Sequence, residues 1–382
     1  MLLGLAASGC ATLSRVDPPW AAVRPALFRG AQTNFGAEPY SSWFGDTDGR
    51  ILYFGLSAFW ETSLQCGAET NSYCPLSDLK EPGDHLIGRF DMVDERFLAP
   101  LVVRRADPAA PSSVWDVLVH SNGRIYYTTF WDEFGSVLPD GGDVQHYAGA
   151  GVGLNELWEG PEGEIYATRY LGDRPGIAVF GPDGVLRREL PLPQDAGALI
   201  CPKSLAVDPN TRDIVFNSDI FYTDNRPPGH DAFRMSPDGE IIERTAYPIL
   251  AFLSFDRAGR GWFVDDYGER NVLRIVTPSG DSTSHDLGAH DPLDLVQDIK
   301  HAGDITLITS WGMRVSVVRE RAGKGFAVST LRPERPNNCP RDFALGYTAV
   351  LSPHRDVYET VSCRITVLRA GNADAGRSLP AN

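Results

Sequence analysis

The sequence predicts an all-β chain folded as a single β-propeller of seven blades, with six as the alternative count, and three observations predict it. First, a turn-plus-strand phrase recurs along nearly the whole chain. The copies are Gly49-Arg50-Ile51-Leu52-Tyr53, Gly123-Arg124-Ile125-Tyr126, Gly163-Glu164-Ile165-Tyr166, Asp213-Ile214-Val215-Phe216, Gly259-Arg260-Gly261-Trp262-Phe263, Gly303-Asp304-Ile305-Thr306 and Arg355-Asp356-Val357-Tyr358. Second, the copies fall roughly 40 to 50 residues apart, the length of a four-stranded blade. Third, no linker rich in Pro, Ser or charge interrupts the stretch from Tyr40 to Leu368, so the 382 residues read as one closed domain.

The N-terminus, Met1-Leu2-Leu3-Gly4-Leu5-Ala6-Ala7-Ser8-Gly9-Cys10, is an apolar run ending in small residues and a cysteine. It resembles the lipobox of bacterial lipoproteins. That resemblance implies a signal peptide over 1–10, lipidation of Cys10 and a tether over 11–24. The run departs from the pattern in having no Lys or Arg before Arg15, and a start codon upstream of Met1 would supply the missing charge. The implied address is the bacterial cell envelope, anchored in the outer membrane or facing the periplasm, with secretion as the alternative. The membrane would be met only through the lipid.

The propeller itself is expected over 25–369. Its clearest blade reads Glu156-Leu157-Trp158-Glu159, a turn at Gly160-Pro161-Glu162-Gly163, Glu164-Ile165-Tyr166-Ala167-Thr168, a loop, Ile177-Ala178-Val179-Phe180, a turn at Gly181-Pro182-Asp183-Gly184, and Val185 to Leu190. Pro-Asp-Gly and Pro-Glu-Gly supply the dihedrals that tight hairpins need. Four-stranded meanders of this kind have two apolar faces, and radial stacking covers both. After Ile365-Thr366-Val367-Leu368 the chain ends in a small, polar tail over 370–382, so the last blade lacks a fourth strand of its own. Pro25-Ala26-Leu27-Phe28-Arg29 is expected to supply it, which would close the ring and remove its open edges.

Strand alternation sorts the loops. Those between second and third strands, and those between blades, share one face, and the short Gly-rich hairpins share the other. The long and variable connections, including the Cys66 to Cys74 insertion and Asn217 to His230, belong to the first face. A ligand is therefore expected there, over the central channel. Its expected rim is Trp131, Arg169, Tyr170, Tyr267 and Trp311, polar groups and aromatics at the ends of second strands. Glu156, Asn217, Asp219 and Asp265, hard oxygen donors near the same mouth, are the candidate metal ligands, for Ca²⁺ or another divalent cation. Most of the eight tryptophans, Trp43, Trp115, Trp158 and Trp262 among them, are read as packing between blades.

Composition narrows the partners. With 35 Lys and Arg against 50 Asp and Glu, the net charge is −15, which repels phosphate backbones and excludes nucleic acid as a natural partner. A protein, glycan or small-molecule ligand fits better, taken up by a monomer. Of the cysteines beyond Cys10, Cys66 and Cys74 bracket a polar loop that a disulfide would close in an oxidising compartment. Cys339 pairs with Cys363 in this reading, both lying in the last repeat, and Cys201 is left over. No GxSxG elbow, HExxH, phosphate loop or CxxC pair occurs.

The hairpins Phe180-Gly181-Pro182-Asp183-Gly184 and Met235-Ser236-Pro237-Asp238-Gly239, with the Gly-Arg-Ile-Tyr phrase, resemble the NHL, virginiamycin B lyase and gluconolactonase propellers. The lactonase resemblance implies a central divalent metal and puts Glu156 in its glutamate position. Lys203 and Phe252 stand where that family has its other two ligands, Asn and Asp. The lyase resemblance implies a His-Glu-His set, of which only His285 and His290 are present, without a Glu between them. Two functions follow. The first is an extracytoplasmic, lipid-anchored propeller that binds its ligand on the variable-loop face. The alternative is a divalent-metal-dependent hydrolase, lactonase or lyase.

Overall fold

The computed structural model describes residues 13–15, 41–57, 84–104, 114–129, 133–147, 153–169, 175–192, 198–222, 229–247, 252–267, 270–289, 296–310, 314–321, 325–331, 346–361 and 364–370. Among them there is no helix, and the strands form seven sheets of four, each an antiparallel meander. Blade 1 runs Ser41–Thr47, Ile51–Ser57, His85–Asp91 and Arg96–Val103, and blade 2 runs Asp116–Val119, Ile125–Thr128, Phe134–Val137 and Gln145–His146. Blade 3 is Leu154–Glu159, Ile165–Arg169, Gly176–Phe180 and Leu186–Pro191; blade 4 is Ala198–Val207, Ile214–Tyr222, Gly229–Met235 and Ile241–Tyr247. Blade 5 is Phe252–Phe255, Gly261–Tyr267, Arg270–Val276 and Ser282–Ala289; blade 6 is Val296–Ala302, Ile305–Ser310, Arg314–Arg321 and Gly325–Leu331. Blade 7 takes Gly346–Leu351, Val357–Val361 and Arg364–Ala370 from the C-terminal end and Leu13–Arg15 from the other.

The ring therefore closes with an N-terminal strand, as expected, but the segment differs. Leu13 pairs with Ala370 and Arg15 with Leu368, so the strand comes from the stretch read as a tether. Pro25 to Arg29 lies outside the described residues, as do Cys10, Cys66, Cys74, Cys339 and Cys363. Cys201 is a buried thiol.

The first strands of consecutive blades touch one another around the ring, and those of blades 7 and 1 complete it, so they line the axis. The turns that join first to second strands are the recurring phrases. In blade 3 the Gly163 amide donates to Gly160 O at 3.0 Å with Gly163 at φ 77°, a conformation that suits glycine. Middle strands such as Gly176–Phe180 are buried along their length, because apolar residues on both faces meet a neighbouring sheet. One seam packs Tyr166, Ile177, Val179 and Leu190 of blade 3 against Leu205, Phe216, Phe233 and Met235 of blade 4. The antiparallel order also puts the strand ends that lead from second to third strands and from blade to blade on one face, face one, and the tight hairpins opposite.

Candidate functional site at the propeller axis

Five of the first strands carry an irregularity near their face-one end, where the register with the second strand slips: between Ser42 and Gly45, Leu154 and Leu157, Pro202 and Ser204, Val296 and Asp298, and Gly346 and Ala349. A bulge leaves a backbone N–H without a ladder partner and re-aims the neighbouring side chains. A side chain from the second strand satisfies that N–H in three blades. Thr168 Oγ1 accepts from Glu156 N (3.1 Å), Asn217 Oδ1 from Ser204 N (3.0 Å) and Thr360 Oγ1 from Thr348 N (3.2 Å). The bulges and their neighbours gather Asp46, Asp116, Glu156, Lys203, Asp298, Lys300 and Thr348 about the axis.

The aspartates tie one blade to the next. Asp46 Oδ2 accepts from Val119 N in blade 2 at 3.0 Å, and Asp116 Oδ2 accepts from Leu157 N in blade 3 at 2.7 Å while its Oδ1 takes Val117 N at 2.8 Å. Thr348 of blade 7 donates its hydroxyl to Asp298 of blade 6. Lys300 stands among these carboxylates, with Nζ 4.0 Å from Asp46 Oδ1 and 3.9 Å from Asp298 Oδ2.

So many acids in one partly dry place cannot all be charged at neutral pH. Burial raises the Asp116 carboxyl to about 7, against the pull of Lys300 and of its two backbone hydrogen bonds. Glu156 is raised well above the usual carboxylate value, by burial first and then by Asp116 and Asp298, with Lys203 and Lys300 opposing. Asp298 is raised by burial, with Lys300 and Thr348 opposing. Burial alone would lower Lys300, yet Asp298, Asp46, Asp116 and Glu156 together hold its ammonium above the normal lysine value. The cluster thus pushes the Glu156 and Asp116 carboxyls toward their neutral forms and carries its own cation.

A cavity of about 40 Å³ opens among Asp116, Glu156, Ser204, Asp298 and Lys300. Ser204 is 2% exposed, and its Oγ has no hydrogen-bond partner among the described residues. The volume suits a water molecule or two rather than an organic ligand. The described part of the axis is consequently closed to an organic ligand.

The expected site residues meet this frame unequally. Glu156 joins the axial cluster. Asn217 is 1% exposed and caps the blade 4 bulge. Asp219 lies on the second strand of blade 4 opposite Cys201, and Asp265 on that of blade 5 opposite Val272. Among the described residues no group of three or more His, Cys, Asp or Glu side chains is arranged to hold a metal ion. An ammonium among the carboxylates and an amide spent on a backbone N–H do not fit a metal centre at the described part of this set. Of the expected rim, Arg169 turns along its own blade and pairs with Glu189 at 2.9 Å. Tyr267 ends the second strand of blade 5; Trp131, Tyr170, Trp311 and His290 lie outside the described residues. His285, of the set the lyase resemblance implies, lies on the outer strand of blade 5, its ring 5.5 Å from Phe326 of blade 6. It is a packing residue remote from the axis.

Sequence reasoning missed Asp46, Asp116, Asp298 and Lys300. Their signal was a polar residue interrupting an otherwise apolar first strand, as in Trp115-Asp116-Val117 and Gln297-Asp298-Ile299-Lys300. It also missed a pair between blades 1 and 2, where His85 Nε2 approaches Glu133 Oε2 at 3.2 Å, both side chains nearly inaccessible.

No known protein family matches the chain, and neither does any curated protein. Solved structures do. Streptogramin B lyase is 16% identical, with a TM-score of 0.56 over 89% of this chain and 99% of that one. The extracellular domain of the hybrid two-component system BT4673 of B. thetaiotaomicron is 11% identical, with a TM-score of 0.52 over 95% of this chain and 43% of that one. The WD40 domain of Neurospora crassa Pan2 is 9% identical, with a TM-score of 0.56 over 87% and 90%. Identities this low carry the fold alone. At that level they bear out the propeller resemblance drawn from the hairpin phrases: the chain is a seven-bladed β-propeller that shares its architecture with streptogramin B lyase.

Proposed function

We propose that this protein is a binding propeller that holds a protein, glycan or small-molecule ligand on face one, and that it is tethered outside the cytoplasm through lipidated Cys10. The observation that carries the reading is how the axial carboxylates are used. Asp46, Asp116 and Asp298 spend their oxygens on neighbouring blades and on Lys300, and the cavity among them holds only a few atoms. Side chains occupied in this way support the ring, which leaves recognition to the loops above. Trp131, Tyr170, Tyr267 and Trp311 belong to or adjoin those loops, and large rings with a polar edge suit glycan and peptide recognition.

The test is a glycan and peptide array probed with the purified propeller, followed by the variants Trp131→Ala and Trp311→Ala. The reading expects a specific hit that both variants weaken at unchanged melting temperature. Retention by both variants would refute face one as the site. Cys10→Ser should move the protein from the membrane to the soluble fraction, and an unchanged distribution would refute the anchor.

A second reading, acid–base catalysis of the hydrolase or lyase kind, is favoured by one observation: the raised carboxyls of Glu156 and Asp116. Perturbed acids in a central channel are common at active sites. In that reading Glu156 would act as the proton donor at neutral pH, beside the Lys300 ammonium. Glu156→Gln should then abolish turnover of any substrate found while leaving array binding intact.

A further inference from the structure

Among the described residues, six of the seven seams between blades are filled by clusters of six to twelve buried apolar side chains. The seam between blades 4 and 5 has three, Ala206, Val215 and Leu253. The same seam contains a cavity of about 400 Å³, reaching from the axis-side residue Phe255 outward to Glu243 and Thr245 on the outer strand.

Strand alternation explains the gap. In blade 4, Phe216, Phe233 and Met235 turn to the blade 3 seam. In blade 5, Trp262, Leu273 and Ile275 turn to the blade 6 seam. What lines the 4–5 seam is Val215, Ala232, Arg234 and Thr245 on one wall, with Phe263, Arg274 and Val276 on the other. Packed sheets stand about 10 Å apart and normally fill that space with two interdigitating layers of side chains. Here Ala232 contributes almost nothing to its layer, while the Phe263 and Phe255 rings lie over Gly261, which leaves a slot over Ala232 between the two sheets.

The slot has features beyond loose packing. Phe255 and Phe263 give it aromatic surface, and the Arg274 guanidinium lies 5.3 Å from the centroid of the Phe263 ring. Glu243, Asn210 and Thr277 surround it with hydrogen-bonding groups. Its volume is in the usual range for small-molecule sites. A guanidinium over a ring and a narrow gap between two sheets select for thin, aromatic occupants, and polar groups at the edge select for heteroatoms on their periphery.

We propose that the seam between blades 4 and 5 is a second binding site, for a planar fused-ring aromatic compound that slides between the two sheets and stacks on Phe263. This site is independent of face one and of the axial cluster.

The test uses the neutral fused aromatic N-phenyl-1-naphthylamine, whose fluorescence rises on leaving water, titrated against the full chain. The expected result is saturable binding at one site per chain. Ala232→Leu, which places a side chain in the slot, and Phe263→Leu, which removes the stacking surface, should each weaken it by about tenfold, the worth of roughly one ring contact. Val185→Ser, on the exposed edge of blade 3, should leave it unchanged. Circular dichroism and melting curves establish that each variant is folded. Should Ala232→Leu fail to fold, Thr245→Phe narrows the slot from its outer end and is expected to act alike. Absence of saturable binding to the wild-type chain would overturn the proposal. So would Ala232→Leu raising the melting temperature while the probe binds as before, since the cavity would then be loose packing alone.

Discussion

Lys300→Met removes an ammonium that stands close to two axial carboxylates, and the geometry sets its effect. Lys300 Nζ stands 4.0 Å from Asp46 and 3.9 Å from Asp298. Each such pair gives an attraction of roughly 4 kcal/mol at an effective dielectric constant of about 20, partly offset by desolvation of the ammonium. Removing one partner of a buried pair generally costs about 3–5 kcal/mol. The Lys300 side chain is 31% exposed, so the lower end, about 3 kcal/mol, is the fitting expectation at pH 8. The variant's carboxyls can respond by keeping protons, and their folded pKa values then stand above the unfolded ones near 4. A group of this kind stabilises the fold fully at low pH and loses that contribution as pH rises, so the defect should grow with pH. We expect a loss of about 1 kcal/mol at pH 5 and about 3 kcal/mol at pH 8, the latter a fall of roughly 4 °C in melting temperature for a chain of this length. Melting curves of both proteins at the two pH values measure it. Equal losses at pH 5 and pH 8, or none at either, would show that Lys300 does not neutralise the cluster.

Two further outcomes follow from the same contacts. Asp116 has a folded pKa of about 7, above its unfolded value, so its contribution to stability is present below about pH 4 and is lost as pH rises to about 7. Asp116→Asn should flatten that part of the pH–stability curve, and parallel curves would count against it. Asn217→Ala strands the buried Ser204 N–H and should cost about 1–3 kcal/mol, with the same melting-temperature response to added calcium as the wild type. A calcium response lost along with the side chain would restore Asn217 as a metal ligand.

Architecture was legible because it is written locally. The Gly-x-Ile-Tyr phrases and Pro-Asp-Gly hairpins specify tight turns whose hydrogen bonds form within a few residues, as between Gly163 and Gly160. Packing tryptophans were legible too: Trp262 is buried and donates its Nε1–H to Asp256 at 2.9 Å. The closing strand was harder, since Leu13–Arg15 owes its place to an edge offered by Arg364–Ala370, more than 350 positions away. Nothing in those three residues marks them as a strand by themselves.

The candidate site was the least legible. Asn217 looked like a ligand because its oxygen is a hard donor, but a slip of register at Ser204 turned that oxygen into a cap. Asp46, Asp116, Asp298 and Lys300 come from blades 1, 2 and 6, and no spacing in the chain brings them together.

From the order of its residues alone, this chain dictates repeated four-stranded units, their turns, and the separation of long loops from short ones, because turn geometry and strand alternation act over neighbouring positions. Closing the ring decided the rest. Only when the first strands converge do distant acids and a lysine share one poorly solvated space, and only there do their charges set one another's protonation. Only when sheets stack does a small residue such as Ala232 leave a slot.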